Sequence, residues 1–595
     1  MARFVAGFLA SVVVSLCFAQ DDAVVVTATR FPQPRSQTLQ PVTVITSADI
    51  AASGQQTLGE VLQALGGVEV SSNGGFGQPT SVFIRGANSG HTLVLVDGMR
   101  ISSATAGTTA LENIPLNQIE RIEVVPGLIS SLYGSDAIGG VVQIFTKSGA
   151  EAPGTYAAAG AGTYYTRSVS AGLNRSFGET RIGLNAGYFE SAGFDATKPA
   201  AFGHNPDTDG YRNTNVSGSV AHRLDQRNEL GATFFQSDGK THFDVDPTTD
   251  DVNHQTLTAY SVYSRNQLTE RWQSLVRLGE SYDDQKFAGL LQGVFFTTRQ
   301  PQLTWQNDVR VGPGTAIAGV EYVTQHVSSD TPFDKTYRSI RSAFAGYTGS
   351  YGRHGWQVNV REDDNSQFGS HSTGLVGYGY RLTEGLRARV GAASAFRAPT
   401  FNDLYFPGFS NPNLRPETSH SKEAGLNYDV HGQRLSATYF DNHISDLIVL
   451  DQNFIPQNVG SARIKGTELA YQGLFRSLQL RASATFQDPV DETTGKLLPR
   501  RARQFGSLSA INAMGPLKLG AEVVASGGRF DQAGELPDTR MHGYALLNLT
   551  AAYAVSRDFL IRARWNNVFD RQYELAQNFN TPGSNVFIGV QYQPQ

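Results

Sequence analysis

"FLIRARWN", Phe559 to Asn566, is the stretch that decides the fold. Phe559, Ile561, Ala563 and Trp565 fall on one side of an extended chain, and Arg562, Arg564 and Asn566 on the other, because successive side chains of a strand point to opposite faces. In a soluble sandwich the inner face is dry, and a dry core does not tolerate repeated arginines. An apolar outer face with a wet inner face is what a strand needs in a barrel surrounded by lipid. The same period recurs where Ile182, Leu184, Ala186 and Tyr188 alternate with Arg181, Gly183, Asn185 and Gly187. It recurs again where Leu547, Leu549, Ala551 and Tyr553 alternate with Asn548, Thr550 and Ala552. At roughly 20 residues per strand and loop, residues 153–595 hold about 22 strands. The expected fold is mostly β, a large transmembrane antiparallel β-barrel. Its last stripe is Val586, Ile588, Val590 and Tyr592, followed by Gln593-Pro594-Gln595 where such barrels usually end on an aromatic.

Composition narrows the function. A net charge of −5, spread without basic blocks, argues against a nucleic-acid partner. Met1–Ala19 has Arg3 as a positive start, an apolar run from Phe4 to Leu16, and Cys17-Phe18-Ala19 before a plausible cleavage point. A lipoprotein leader would want a small residue before the cysteine, and Leu16 is not small, so the expectation is a secretory signal peptide over 1–19. Cys17 is the one cysteine, so the mature chain has no disulfide or thiolate chemistry. No Gly-x-Ser-x-Gly elbow, His-Glu-x-x-His or phosphate loop is present, and no enzyme is expected. Binding and gating remain.

Before the barrel lies a segment with different periodicity. Val42–Ile45 reads as a strand; Thr57 and Glu60 have capping-box spacing, and Leu58, Val61, Leu62 and Leu65 share one helix face ahead of Gly66-Gly67. Leu93–Val96, Asp97-Gly98 and Met99–Ile101 read as a hairpin on a type I′ turn, and Ile119–Val125 and Val141–Phe145 add strands. Together they predict a small α+β domain. Ahead of it, "DDAVVVTATR" (Asp21–Arg30) reads as a short strand left unpaired by Phe31-Pro32-Gln33-Pro34.

An α+β domain between a lone strand and a large barrel resembles the TonB-dependent outer-membrane receptors over nearly the whole chain. The carrying motifs are "VVVTATRFPQPRS" (Val24–Ser36), "NGGFGQPTSVFIRG" (Asn73–Gly86), "LVLVDGMR" (Leu93–Arg100), "YGSDAIGGVVQIFT" (Tyr133–Thr146), "DDNSQFGSH" (Asp363–His371), "NPNLRPE" (Asn411–Glu417), "ARIKGTE" (Ala462–Glu468) and "NNVFDRQYE" (Asn566–Glu574). "FIRG", "LVDG" and "YGSDAIGG" are general to the family; the first motif with "DDNSQFG" and "ARIKG" is most similar to the branch that takes up vitamin B12 (cobalamin). One departure is Pro126 before Gly127, where the family usually has Arg or Lys.

The resemblance implies a TonB-box segment (20–34), a plug (35–152) and a barrel (153–595) in the outer membrane of a diderm bacterium. Asp22, Ala23, Val24, Val25, Val26, Thr27 and Ala28 would form the box, gripped by TonB and its inner-membrane motor proteins through strand addition. Asn73, Phe76, Gln78, Thr105 and Thr108 would meet the ligand at the plug apex, where glycines allow close approach. The expected cargo is cobalamin or a related corrinoid, with a siderophore or haem as the alternative, carried by a monomer set in outer-membrane lipid. Asp195, Asp207 and Asp209, with Asp244 and Asp251 from the next loop, would hold calcium that orders the outer loops; hard oxygen donors suit that ion, and a merely solvated acidic loop is the alternative. Arg85 and Arg121 of the plug would meet Glu423 and Glu468 of the barrel. A passive porin needs neither plug nor terminal strand, and an adhesin needs no energy-coupling segment.

Overall fold

A computed structural model describes residues 25–27, 30–148, 154–451 and 453–594. The leader expected over 1–19, and Asp22, Ala23, Val24 and Ala28 of the expected box, lie outside the described residues.

The plug begins with β1 (Val25–Val26), which pairs antiparallel with β2 (Gln33–Pro34). This corrects the expectation of an unpaired strand. Proline cannot donate, but on the edge of a two-stranded pair its carbonyl still accepts. Val26 is fully buried beside Val44, Leu93 and Ile129, and that burial favours docking. Then follow β3 (Thr43–Thr46), α1 (Ser47–Ser53), α2 (Leu58–Leu65), β4 (Glu69–Ser72) and β5 (Thr80–Phe83). The domain finishes with β6 (Thr92–Val96), β7 (Met99–Arg100), β8 (Ile119–Pro126), α3 (Ser130–Tyr133) and β9 (Gly140–Thr146).

α2 starts where its capping box predicts: Thr57 Oγ1 accepts from the Glu60 N–H and the Glu60 carboxylate accepts from the Thr57 N–H. Leu58, Val61, Leu62 and Leu65 are buried against Ile45, Val94 and Ile122. Asp97 (φ 49°) and Gly98 (φ 83°) make the turn of the β6–β7 hairpin. α1 was not anticipated, because only Ile50 and Ser53 are buried and no apolar period marks it; a second capping box, Thr46 with Asp49, sets its start. The five-stranded sheet runs β3-β8-β9-β6-β7, with β6 parallel to β9.

From β10 (Gly154–Gly162) onward the described residues form 22 long antiparallel strands, closed where β10 pairs with the last, Asn585–Tyr592. β11 (Thr166–Phe177), β12 (Thr180–Ser191), β13 (Tyr211–Arg223), β14 (Asn228–Phe243) and β15 (Asp251–Thr269) set the pattern. Connections at one end have two or four residues, as at 178–179 and 224–227; those at the other end include 192–210, 398–416, 527–543 and 567–584. The faces divide as the opening octet requires. Leu184, Val360 and Val376 are 54%, 58% and 60% exposed on the outside. Arg564 is buried inside, donating to Glu522 at 3.0 Å and to the carbonyl of Ser53 in the plug.

Candidate functional site

The residues expected at the plug apex lie on two loops, 73–79 between β4 and β5 and 101–110 after β7. Gly77 has φ +74°, and a Cβ there would lie 2.1 Å from the Tyr211 ring, so the loop reaches the wall only as glycine. Phe76 meets Phe189 edge-on at 5.1 Å, and Phe189 meets Tyr211 at 6.0 Å. Asn73 accepts from Arg500 at 3.3 Å. Gln78 is buried and donates to the His242 carbonyl at 2.7 Å, which ties the loop to β14. Thr105 is buried with its hydroxyl 2.7 Å from Ser103, and the Thr108 carbonyl accepts from the Ser103 N–H at 2.9 Å. In this conformation Gln78 and Thr105 hold loops in shape, while Asn73, Phe76 and Thr108 are half-buried.

The plug is fastened to the wall by Arg85. Its Nη1 donates to Glu423 at 2.8 Å, and its Nε and Nη2 donate to Glu468 at 3.0 and 2.8 Å. The guanidinium also lies 5.0 Å from the Phe440 ring, and Arg389 pairs with the other oxygen of Glu423. Gly127 is a second requirement: its φ is +78°, and a Cβ would lie 2.4 Å from Arg85 Nη1. Pro126 therefore leaves the Gly127 part of the motif intact. Arg121 departs from expectation. It bonds Glu123 of its own strand at 3.1 Å and lies 3.7 Å over Phe145, while Arg85 takes both barrel glutamates. Sequence reasoning missed Arg389, although period 2 through Arg387 and Arg389 marks both as inward. It also missed His91, fully buried with Nε2 3.0 Å from Glu417, which Arg397 reaches at 2.7 Å.

The acidic loops converge. Asp207, Asp209 and Asp244 offer carboxylate oxygens within 4.8 Å of one another, and Asp195 and Asp244 carboxylate oxygens lie equally close to each other and to a ring nitrogen of His204. Asp209 accepts from the Ala196 N–H at 2.7 Å, Asp244 accepts from Thr197, and Asn205 donates to Asp207 at 2.9 Å. Burial, opposed by the Ala196 bond and reinforced by Asp244, Asp207 and Asp195, raises the Asp209 carboxyl to about 7. Burial and neighbouring carboxylates also raise Asp207, and burial raises Asp195. A cation coordinated by hard oxygens would relieve this repulsion, so the donor set fits a divalent ion such as calcium. Asp251 stands outside the group: it is buried at the start of β15 and accepts from the Leu290 N–H at 2.7 Å. His204, between Asp195 and Asp207, was missed because histidine is an uncommon partner for oxygen-seeking ions.

Behind β1, the Thr27 N–H donates to Glu123 at 2.8 Å and its carbonyl accepts from the Tyr133 hydroxyl at 2.7 Å. Arg30 pairs with Glu321 of the barrel at 2.7 Å. The N-terminal segment is docked inside the lumen.

Comparison with known proteins agrees with this architecture. Residues 34–141 match a family model described as the TonB-dependent receptor plug domain, and 133–568 match the TonB-dependent receptor-like β-barrel. A vitamin B12 transporter, BtuB, from Vibrio vulnificus is 32% identical over 602 aligned positions, covering 96% of this chain and 95% of that protein. Its counterpart from Photobacterium profundum is 30% identical, covering 97% and 96%. Among solved structures, the ferric enterobactin receptor PfeA of Pseudomonas aeruginosa superposes with a TM-score of 0.81 at 19% identity, covering 96% of this chain and 100% of that one. The siderophore receptor PirA of Acinetobacter baumannii gives 0.79 at 18%, covering 93% and 98%. With its plug, its closed 22-strand barrel and these matches, the chain belongs to the TonB-dependent receptor family of the bacterial outer membrane.

Proposed function

We propose that this receptor imports cobalamin or a closely related corrinoid across the outer membrane, drawing on TonB and its inner-membrane motor proteins for work. The observation that carries the reading is 32% identity with a vitamin B12 transporter across 96% of the chain. The siderophore receptors share the fold at 19% and 18% identity, which says nothing of cargo.

In this reading the cargo settles over the plug apex, where Phe76 offers an apolar face and Asn73 and Thr108 offer polar atoms. Asp207, Asp209 and Asp244, with Asp195 beside them, hold calcium, which supplies the positive charge that ties loops 192–210 and 244–250 together. The docked segment around Val25–Thr27 is released and taken up by the periplasmic partner as an added strand. Arg85, paired with Glu423 and Glu468, keeps the plug seated until then. Because a buried ion pair contributes little net stability yet is costly to leave half-made, it seats the plug in one position without making it immovable. The protein acts as a monomer in lipid and carries out no covalent chemistry.

The experiment is titration of the purified receptor with cyanocobalamin and with ferric siderophores, with calcium and with excess chelator. Saturable cyanocobalamin binding that weakens on chelation is expected. Siderophore binding without cyanocobalamin binding would overturn the cargo. Unchanged affinity in chelator would overturn the calcium site.

A further inference from the structure

A cavity of about 610 Å³ runs between the plug and the barrel wall where the first strand meets the last. It lies within the size range of small-molecule sites. Its upper end is closed by Phe76, Phe189 and Tyr211, next to the apex; its lower end reaches Lys147, Arg562 and Gln591, next to the short turns. On the plug side are α1 and the Leu116–Asn117 turn. On the barrel side, β10, β11 and the last strand present Ala158, Ser168, Ser170 and Gly589, whose small side chains leave the space open.

Three polar groups in this cavity lack partners among the described residues. Asn174 on β11 is 4% exposed, and its Oδ1 accepts nothing, although its Nδ2 lies 3.4 Å from Asn185. Gln56 Nε2 is buried without an acceptor. Arg562, on the strand Phe559–Asn566, is half-buried, and its guanidinium has no hydrogen-bond or ion-pair partner among the described residues. Lys147 stands near it, with its ammonium 4.1 Å from the Tyr156 ring and with Glu120 facing it. Burial pulls Lys147 down to about 8, Glu120 opposes that pull, and Arg562 adds to it. Buried polar groups are normally satisfied, so a cavity that gathers an idle buried acceptor and an idle buried donor, with an unpaired cation at its lower end, is arranged for something that brings the complements. Those complements are hydrogen-bond donors such as amides and hydroxyls, together with an anionic group.

We propose that this cavity is a second, luminal binding site for the cargo below the apex, with Asn174 Oδ1 accepting from the cargo's amides and Arg562 holding its phosphodiester. The assignment rests on the corrinoid reading above: cobalamin carries peripheral amides and one phosphodiester. Cargo that has passed Phe76 enters a space already open, with a largely apolar wall that carries a few polar groups, and the small residues of the closing strands form its fixed side.

The test compares cells producing the full-length receptor, supplied with radiolabelled cyanocobalamin or with dicyanocobinamide, which has the same ring and no phosphodiester. Arg562→Gln is expected to lower the ratio of cyanocobalamin to cobinamide uptake about tenfold, the size of one charge-assisted hydrogen bond. Ser170→Phe, which fills the cavity, is expected to slow uptake of both compounds severalfold. Binding of cyanocobalamin to de-energised cells reports that each variant is folded and displayed. With that binding present, an unchanged ratio in Arg562→Gln or undiminished uptake in Ser170→Phe overturns the luminal site. A wild-type receptor that binds no cyanocobalamin overturns the cargo reading and this assignment with it, so surface binding separates the two failures.

Discussion

Arg85 has almost no freedom: its guanidinium is shared between Glu423 and Glu468, and Gly127 is packed against it. Removing one partner from a buried pair typically costs about 3–5 kcal/mol, because the remaining charge is left uncompensated. Glu468→Arg sets like charges together and is expected to loosen the plug, raising sensitivity of cells to large hydrophilic antibiotics; unchanged sensitivity would remove Arg85 as the fastening. The acidic loops make a pH prediction with a definite sign. Without calcium, the folded loops hold Asp195, Asp207 and Asp209 above the ordinary carboxyl value, Asp209 at about 7. Between about pH 4 and 7 the folded state then binds more protons than the unfolded chain, and loop stability falls as pH rises through that window. Hydrogen exchange in loop 192–210, corrected for its intrinsic pH dependence, should therefore show weaker protection above pH 7 than below about pH 5 in chelator. Calcium should abolish the difference. Asp209→Asn should lose the calcium response while keeping protection in chelator at high pH.

Elements were legible where one local pattern determines them. The helix at Leu58–Leu65 follows from a capping box and a helical apolar stripe, and the hairpin at Asp97-Gly98 from its turn residues. The docking of Val25–Val26 was not legible, because it depends on a pocket made by Val44, Leu93 and Ile129, distant in sequence. Asp251 and Arg121 failed for a related reason: the family resemblance gave their neighbourhood but not the direction in which they point. The docked strand sharpens its own test. Val26→Pro removes the N–H that an added strand would need, and it is expected to abolish energised uptake while leaving surface binding of cargo intact. Normal uptake would mean that this strand is not what the partner grips.

At the scale of the whole molecule, the barrel was legible from period-2 alternation together with the expected leader, since lipid outside and a wet, plugged lumen inside require that inversion of its strands. The lumen was not, because the cavity along the closing strands comes from the fit between two domains. The open space beside the plug, the docked segment below and the acidic loops above belong to one account: a receptor that binds its cargo on one side and needs work delivered from the other to pass it through. The most direct measurement is uptake of radiolabelled cyanocobalamin by cells producing this receptor, with and without a functional TonB, alongside binding to the same cells. The account predicts calcium-dependent binding in both and accumulation only with TonB. Accumulation without TonB, or no binding in either, would contradict it.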